Sequence, residues 1–132
     1  MYFNAKKSDK ADVWMILAII VFGILFFVPF NGRVPLFDWD EINFAEAARE
    51  MLISHDYLTV QINFQPFWEK PPLFIWMQML AMKAFGVNAF AARFPDAMAG
   101  ILSLLVIYRV GHEAFDRRFA QLWVLFYAGS LL

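Results

Sequence analysis

Cysteine is missing from this chain altogether. Its absence excludes disulfides and thiolate metal sites and leaves the redox compartment unread. No basic tract occurs and the formal net charge is −1, so nothing suggests a nucleic-acid partner. Internal repeats and low-complexity segments are absent too. What the chain has is apolar surface. Of its 132 residues 61% are hydrophobic and 19% aromatic, and the mean hydropathy is +0.54. A soluble domain averages roughly 45–50% apolar residues. The surplus places the chain in the membrane class.

Residues 1–12 are polar and carry Lys6, Lys7 and Lys10. Val13 to Phe30 follows without a charge. A run of that length fits the roughly 17–25 residues of a spanning helix. A signal peptide shares the basic start and apolar run. This run is longer than a typical h-region, and Pro29 to Arg33 is not a small-residue cleavage site, which favours a retained span. Asn31-Gly32 and Pro35 then mark a turn-rich exit.

Residues 41–54 read as a helix, with Phe44, Ala48, Met51 and Leu52 on an apolar stripe and Glu46, Arg49 and Glu50 off it. Arg49 is most simply an i,i+3 partner of Glu46. Asp38 with Glu41 three residues on has the form of a capping box. Residues 57–62 carry a weak strand signal. Residues 72–85 form a second short apolar helix, with Pro72 in its first turn and Gly86-Val87-Asn88 ending it. Both helices are too short to span and read as interfacial.

Residues 97–108 are uncharged and form the core of a second span, extended by neighbours on either side, with Pro95 marking a break or first turn. Residues 109–118 read as a polar loop and residues 119–132 as the start of a third span, cut off before it ends. Three lysines precede span one, and Arg109, Arg117 and Arg118 follow span two. Residues 31–96 hold eight of the twelve acids. By the positive-inside rule the amino terminus is cytoplasmic and the acidic segment extracytoplasmic.

That segment has two charged clusters, Asp38-Trp39-Asp40-Glu41 and Trp68-Glu69-Lys70-Pro71-Pro72. Ionisable groups at bilayer depth are costly and point to function. Asp40 stands at a helix start, where free backbone N–H groups favour negative charge. A carboxylate can remove a proton from a hydroxyl, and a lysine can stabilise phosphate charge. The bland alternatives are a capping role for either aspartate, a snorkelling Lys70 or its pairing with Glu69, and an anchoring role for Arg93. His55 reads as a solvent-facing group. Phe67, Trp68 and Trp76 fit an aromatic belt as well as a sugar platform.

The two clusters, with Phe44 to Leu52 and with Phe85-Gly86-Val87-Asn88 leading to Arg93-Phe94-Pro95, resemble polyprenyl-phosphate-dependent glycosyltransferases of the GT-C type. The aminoarabinose transferases and protein O-mannosyltransferases are the branches concerned. The resemblance implies an all-α integral membrane fold, here its amino-terminal part, multi-pass and in a bacterial inner membrane, with interfacial helices in the first extracytoplasmic loop. It implies sugar transfer from a polyprenyl-phosphate donor to a lipid, glycan or protein acceptor, with membrane lipid as a further partner and no activity in the 132 residues alone. Asp40 takes the position of the catalytic carboxylate. Lys70 sits where the family has a lysine near the donor phosphate, and Glu41 and Arg93 are further substrate-binding candidates. Glu69 sits where the aminoarabinose branch has a metal-contacting glutamate, so a divalent metal cofactor is left open, with its partner ligand beyond residue 132. Asn43-Phe44 departs from the Arg-Tyr frequent in the family, which removes a tyrosine hydroxyl. The alternatives are a non-catalytic membrane scaffold and a lipid-phosphate-binding transporter segment.

Overall fold

The computed structural model of this chain describes residues 10–37 and 39–130. Lys6, Lys7 and Asp38, and with Asp38 half of the expected capping box, lie outside the described residues. Five helices run in order: α1 (Lys10–Phe27), α2 (Asp40–Ser54), α3 (Pro72–Phe85), α4 (Ala89–Ala114) and α5 (Arg117–Ser130). One antiparallel hairpin, β1 (Gln61–Ile62) with β2 (Gln65–Pro66), interrupts them between α2 and α3. The chain is therefore essentially all helical. It divides into two compact units, one of residues 28–97 and the other of residues 1–27 with 98–132.

In the unit of residues 28–97, α2 packs on α3 and on β1. Its core is made largely of small and flexible side chains: Ala45, Ala47, Ala48 and Met51 from α2, Ile75, Met79, Ala81 and Met82 from α3, and Ala91 and Ala92 from α4. Alanines at the contact let the helix backbones approach closely. α3 has the bounds read from the sequence, because Pro72 can start a helix and Gly86, at φ 82°, stops it. Asn88 then serves two helices. Its amide Nδ2 donates to Phe85 O of α3 at 2.9 Å, and its Oδ1 accepts from Ala91 N of α4 at 2.9 Å.

In the other unit, Ile19, Leu104, Tyr108, Ala120 and Val124 form the core shared by α1, α4 and α5. α1 and α4 are the two helices among the described residues that are long and apolar enough to cross a membrane. α1 starts and stops three residues before the run expected at 13–30. Turns take over after Phe27, with Asn31 N donating to Val28 O and Arg33 N to Phe30 O.

Two expectations are corrected here. α4 is continuous from Ala89 through Pro95 to Ala114, so Pro95 is an interior proline and not a boundary. The loop expected at 109–118 shrinks to Phe115 and Asp116. Most of its polar residues are helical: Arg109 pairs with Glu113 at i,i+4 and 3.5 Å, while Asp116, left in the turn, caps α5 by accepting from Phe119 N through Oδ1 at 2.8 Å.

Candidate active site

Asp40 is the first residue of α2, and Trp39 before it holds a left-handed φ of 77°. Such a φ is strained for a tryptophan. It turns the chain into the helix, whose first bond runs from Asn43 N to Trp39 O at 3.1 Å. Trp39, the residue at the N-cap, makes no side-chain capping hydrogen bond. The Asp40 side chain is 68% exposed.

Lys70 arrives from the opposite direction. The hairpin is closed by Phe67 N donating to Val60 O at 2.7 Å. Three residues later Lys70 stands at the entrance to α3, stiffened by Pro71-Pro72. Its Nζ lies 3.0 Å from Asp40 Oδ1 and 5.4 Å from the centre of the Phe44 ring. Phe44 in turn meets Phe74 edge-on at 5.3 Å. At the position where the family often has a tyrosine, the ring thus supplies a cation–π surface to the ammonium instead of a hydroxyl. Lys70 does not pair with Glu69.

Lys70 also lines a cavity of about 510 Å³, together with Leu58, Val60, Phe67, Trp68, Glu69, Pro71 and Pro72. Apolar and aromatic walls with one cation and one carboxylate suit an amphipathic ligand. Glu69 is exposed at this rim. One carboxylate is far short of a divalent-metal shell. Among the described residues no group of three or more His, Cys, Asp or Glu gathers to complete it. These residues supply one carboxylate, and no step below is routed through a metal.

Glu41 and Arg93 are brought together as an ion pair. Arg93 Nε donates to Glu41 Oε1 at 2.5 Å and one terminal nitrogen to Glu41 Oε2 at 3.0 Å. The remaining bonds go to the carbonyls of Asn31 and Val34 from one nitrogen and of Pro35 from the other, at 2.9, 2.7 and 3.0 Å. A guanidinium has five N–H donors, and all five are used within the chain. The pair fastens the exit loop to α2 and α4. Glu41 Oε2 also accepts from Phe37 N at 2.6 Å, a reach back toward the chain before the helix. The Arg93 hydrogen bond holds the Glu41 carboxyl below its usual value, against an opposing effect of burial.

Arg49 pairs with Glu46 through two bonds, as its spacing implied. His55 ends α2 in the left-handed region and lies 3.3 Å from the Tyr57 hydroxyl. Trp76 donates to Tyr57 O at 2.7 Å, which ties α3 to the loop before the hairpin. Two groups went unread in the sequence. Glu50 belongs to the polar side of α2 by periodicity, yet it is 1% exposed. Asp12 belongs to a polar amino-terminal segment by composition, yet it is buried and accepts from Tyr108 Oη at 3.1 Å and Arg117 Nε at 3.0 Å. An acid inside an otherwise apolar helix start was the available signal for Asp12.

Comparison with known proteins bears on this geometry. The family described as dolichyl-phosphate-mannose-protein mannosyltransferase matches residues 69–132. An undecaprenyl phosphate-alpha-4-amino-4-deoxy-L-arabinose arabinosyl transferase of Edwardsiella ictaluri is 34% identical over 124 residues, 93% of this chain and 22% of that protein. One from Sodalis glossinidius is 34% identical over 100 residues, 76% of this chain and 18% of its own. The crystal structure of ArnT from Cupriavidus metallidurans in the apo state is similar with a TM-score of 0.74 and 26% identity, over 84% of this chain and 21% of that one. The chain thus spans about a fifth of the length of the curated relatives it matches. In its motifs and its helical fold alike, this chain is a GT-C glycosyltransferase sequence of the aminoarabinose transferase type.

Proposed function

We propose that the chain supplies part of the catalytic site of an integral membrane glycosyltransferase, which moves a sugar from a polyprenyl-phosphate carrier to a hydroxyl or phosphate acceptor on the extracytoplasmic face. One observation carries the reading. Asp40 and Lys70 come from motifs thirty residues apart and meet at 3.0 Å beside the cavity at the α3 entrance. A structural ion pair with this exposure contributes little to stability, on the order of 0–1 kcal/mol, so stability is a weak reason to bring the two together.

Glycosyl transfer needs a base for the acceptor and a positive charge for the departing phosphate. Asp40 takes the acceptor proton. Lys70, a compact cation on a flexible stem, takes the polyprenyl-phosphate charge as the sugar leaves. Each group neutralises the other until a donor phosphate competes for the ammonium and frees the carboxylate. The apolar walls from Leu58, Val60 and Phe67 suit the first isoprene units of the carrier, and Trp68 at the rim suits a sugar face.

The test is Asp40→Asn in the complete protein, since the 132 residues alone are not expected to catalyse. Movement of radiolabelled sugar from the polyprenyl carrier to product should fall about 10²–10⁴-fold, with the thermal melt unchanged. Transfer at the normal rate would remove Asp40 from the chemistry. A scaffold would lose stability instead, and a transporter segment would move no label to product.

A further inference from the structure

The buried Glu50 has no place in the chemistry above, and its surroundings say what it does. Its Oε2 accepts from Phe64 N at 2.8 Å, and its Oε1 makes no hydrogen bond among the described residues. A buried carboxylate with one oxygen unmatched is costly, and its retention calls for an explanation. Phe64 belongs to the two-residue turn between β1 and β2, whose register pairs Ile62 with Gln65. Asn63 and Phe64 have φ of 55° and 56°. A two-residue hairpin with both turn residues at positive φ is the I′ type, which favours Asn-Gly. Here the glycine position holds a phenylalanine, which has no preference for the left-handed region. The turn is therefore poorly specified by its own residues, and a bond from outside has to hold it.

We infer that Glu50 is a positioning residue for Lys70: by clamping the Asn63-Phe64 turn onto α2, it sets where the returning strand delivers Lys70 opposite Asp40. The connection is short and continuous. Glu50 and Asp40 stand on the same helix, so the clamp and the carboxylate share one rigid frame. From Phe64 the chain passes through β2, is pinned by the Phe67–Val60 backbone bond, and reaches Lys70 six residues after the turn. Val60 is buried, and Ile62 and Phe67 pack on the core around α2 and α3, so the hairpin rides on that frame as a unit. The inference rests on the proposed role of Lys70, but its geometric half is measured without any turnover.

Three variants of the full-length protein separate the roles. Glu50→Met keeps the volume and removes the acceptor. Glu50→Gln keeps an acceptor oxygen and removes the charge. Glu50→Asp keeps the charge and shortens the reach, and it stands in if Glu50→Met does not fold. In Glu50→Met and Glu50→Asp, amide exchange across residues 61–70 should quicken, and acylation of Lys70 by an amine reagent should rise several-fold relative to the exposed Lys83. Their kcat should fall by about 10–100-fold, more than KM rises, as misplacement of a reacting group does. Glu50→Gln should stay within a few-fold of wild type in all three. Unchanged exchange and Lys70 acylation in Glu50→Met would overturn the inference, as would a Glu50→Gln variant as damaged as Glu50→Met. If Asp40→Asn keeps transfer, the reading of the site fails, while the exchange and acylation still decide whether Glu50 sets Lys70.

Discussion

A guanidinium with every donor engaged is the most heavily bonded side chain among the described residues of the unit 28–97. Arg93 closes on Glu41 and on three carbonyls of the exit loop. A lysine has three donors and no fork, so Arg93→Lys strands loop carbonyls even though the charge survives. The variant should lose on the order of 2 kcal/mol of stability, read from thermal melts in detergent. Glu41 gives the same site a pH signature. Its folded carboxyl titrates below the ordinary value of 4.5, first because of the Arg93 bond. A depressed carboxyl stabilises the fold fully above its unfolded value and loses that contribution as pH falls through its folded value. Wild type should therefore weaken more steeply than Glu41→Gln as pH drops below about 4.5. Parallel melting curves from pH 6 to 3 would show that the pair does not tie the loop. Asp40 and Lys70 could be singled out in the sequence because their motifs are local. The Arg93–Glu41 tie spans 52 residues, and nothing in either neighbourhood announces it.

Elements pack here through what glycine leaves out. A Cβ added at Gly111 of α4 would meet the Ala120 backbone of α5 at 3.0 Å and Ala120 Cβ at 3.2 Å. A backbone atom cannot rotate away, so the two helices must part. Gly129 of α5 faces open space. Gly111→Ala should cost about 1–3 kcal/mol by overpacking. Gly129→Ala should be neutral or gain up to about 1 kcal/mol of helix propensity. Unfolding of the purified protein in a denaturing detergent compares them, and equal midpoints would mean that α4 and α5 do not pack through this contact. Small residues at such contacts are what membrane helices use in place of a hydrophobic drive. At this scale α3 was fully legible, since proline and glycine punctuate it at both ends. α4 was not, because its polar end looks like a loop until Arg109, His112 and Glu113 are placed on one helix by their spacing. Glu50 was misplaced for a related reason. The buried arc of α2 is widened by Ala45 and Ala47, and the hairpin covers the side on which Glu50 lies. Alanines carry too little hydrophobic signal to reveal that in advance.

For the molecule as a whole, the placement of charge bears on which side of the membrane each end faces. α1 would extend about 27 Å and α4 about 39 Å at 1.5 Å per residue, against a hydrocarbon core of about 30 Å. α1 also turns Trp14, Leu17, Val21 and Leu25 outward, as a lipid-facing helix would. Within the unit of these helices, Asp12 at the start of α1 is bonded to Tyr108 of α4 and Arg117 of α5. The start of α1 and the α4–α5 junction therefore share one end. Lys10 at the start of α1 and the arginines around the junction are then on the same side, as the positive-inside rule requires if that side is cytoplasmic. Had the two cationic segments lain at opposite ends, the rule would have given no answer. The absence of cysteine makes the matter measurable in the 132-residue chain. A single cysteine at exposed Leu58, beside the candidate site, should react with a membrane-impermeant maleimide on intact bacterial cells. One at exposed Arg118 should react only after permeabilisation. The reverse pattern would put Asp40 and Lys70 in the cytoplasm, where an extracytoplasmic acceptor could not meet them, and the proposed direction of transfer would fall with it.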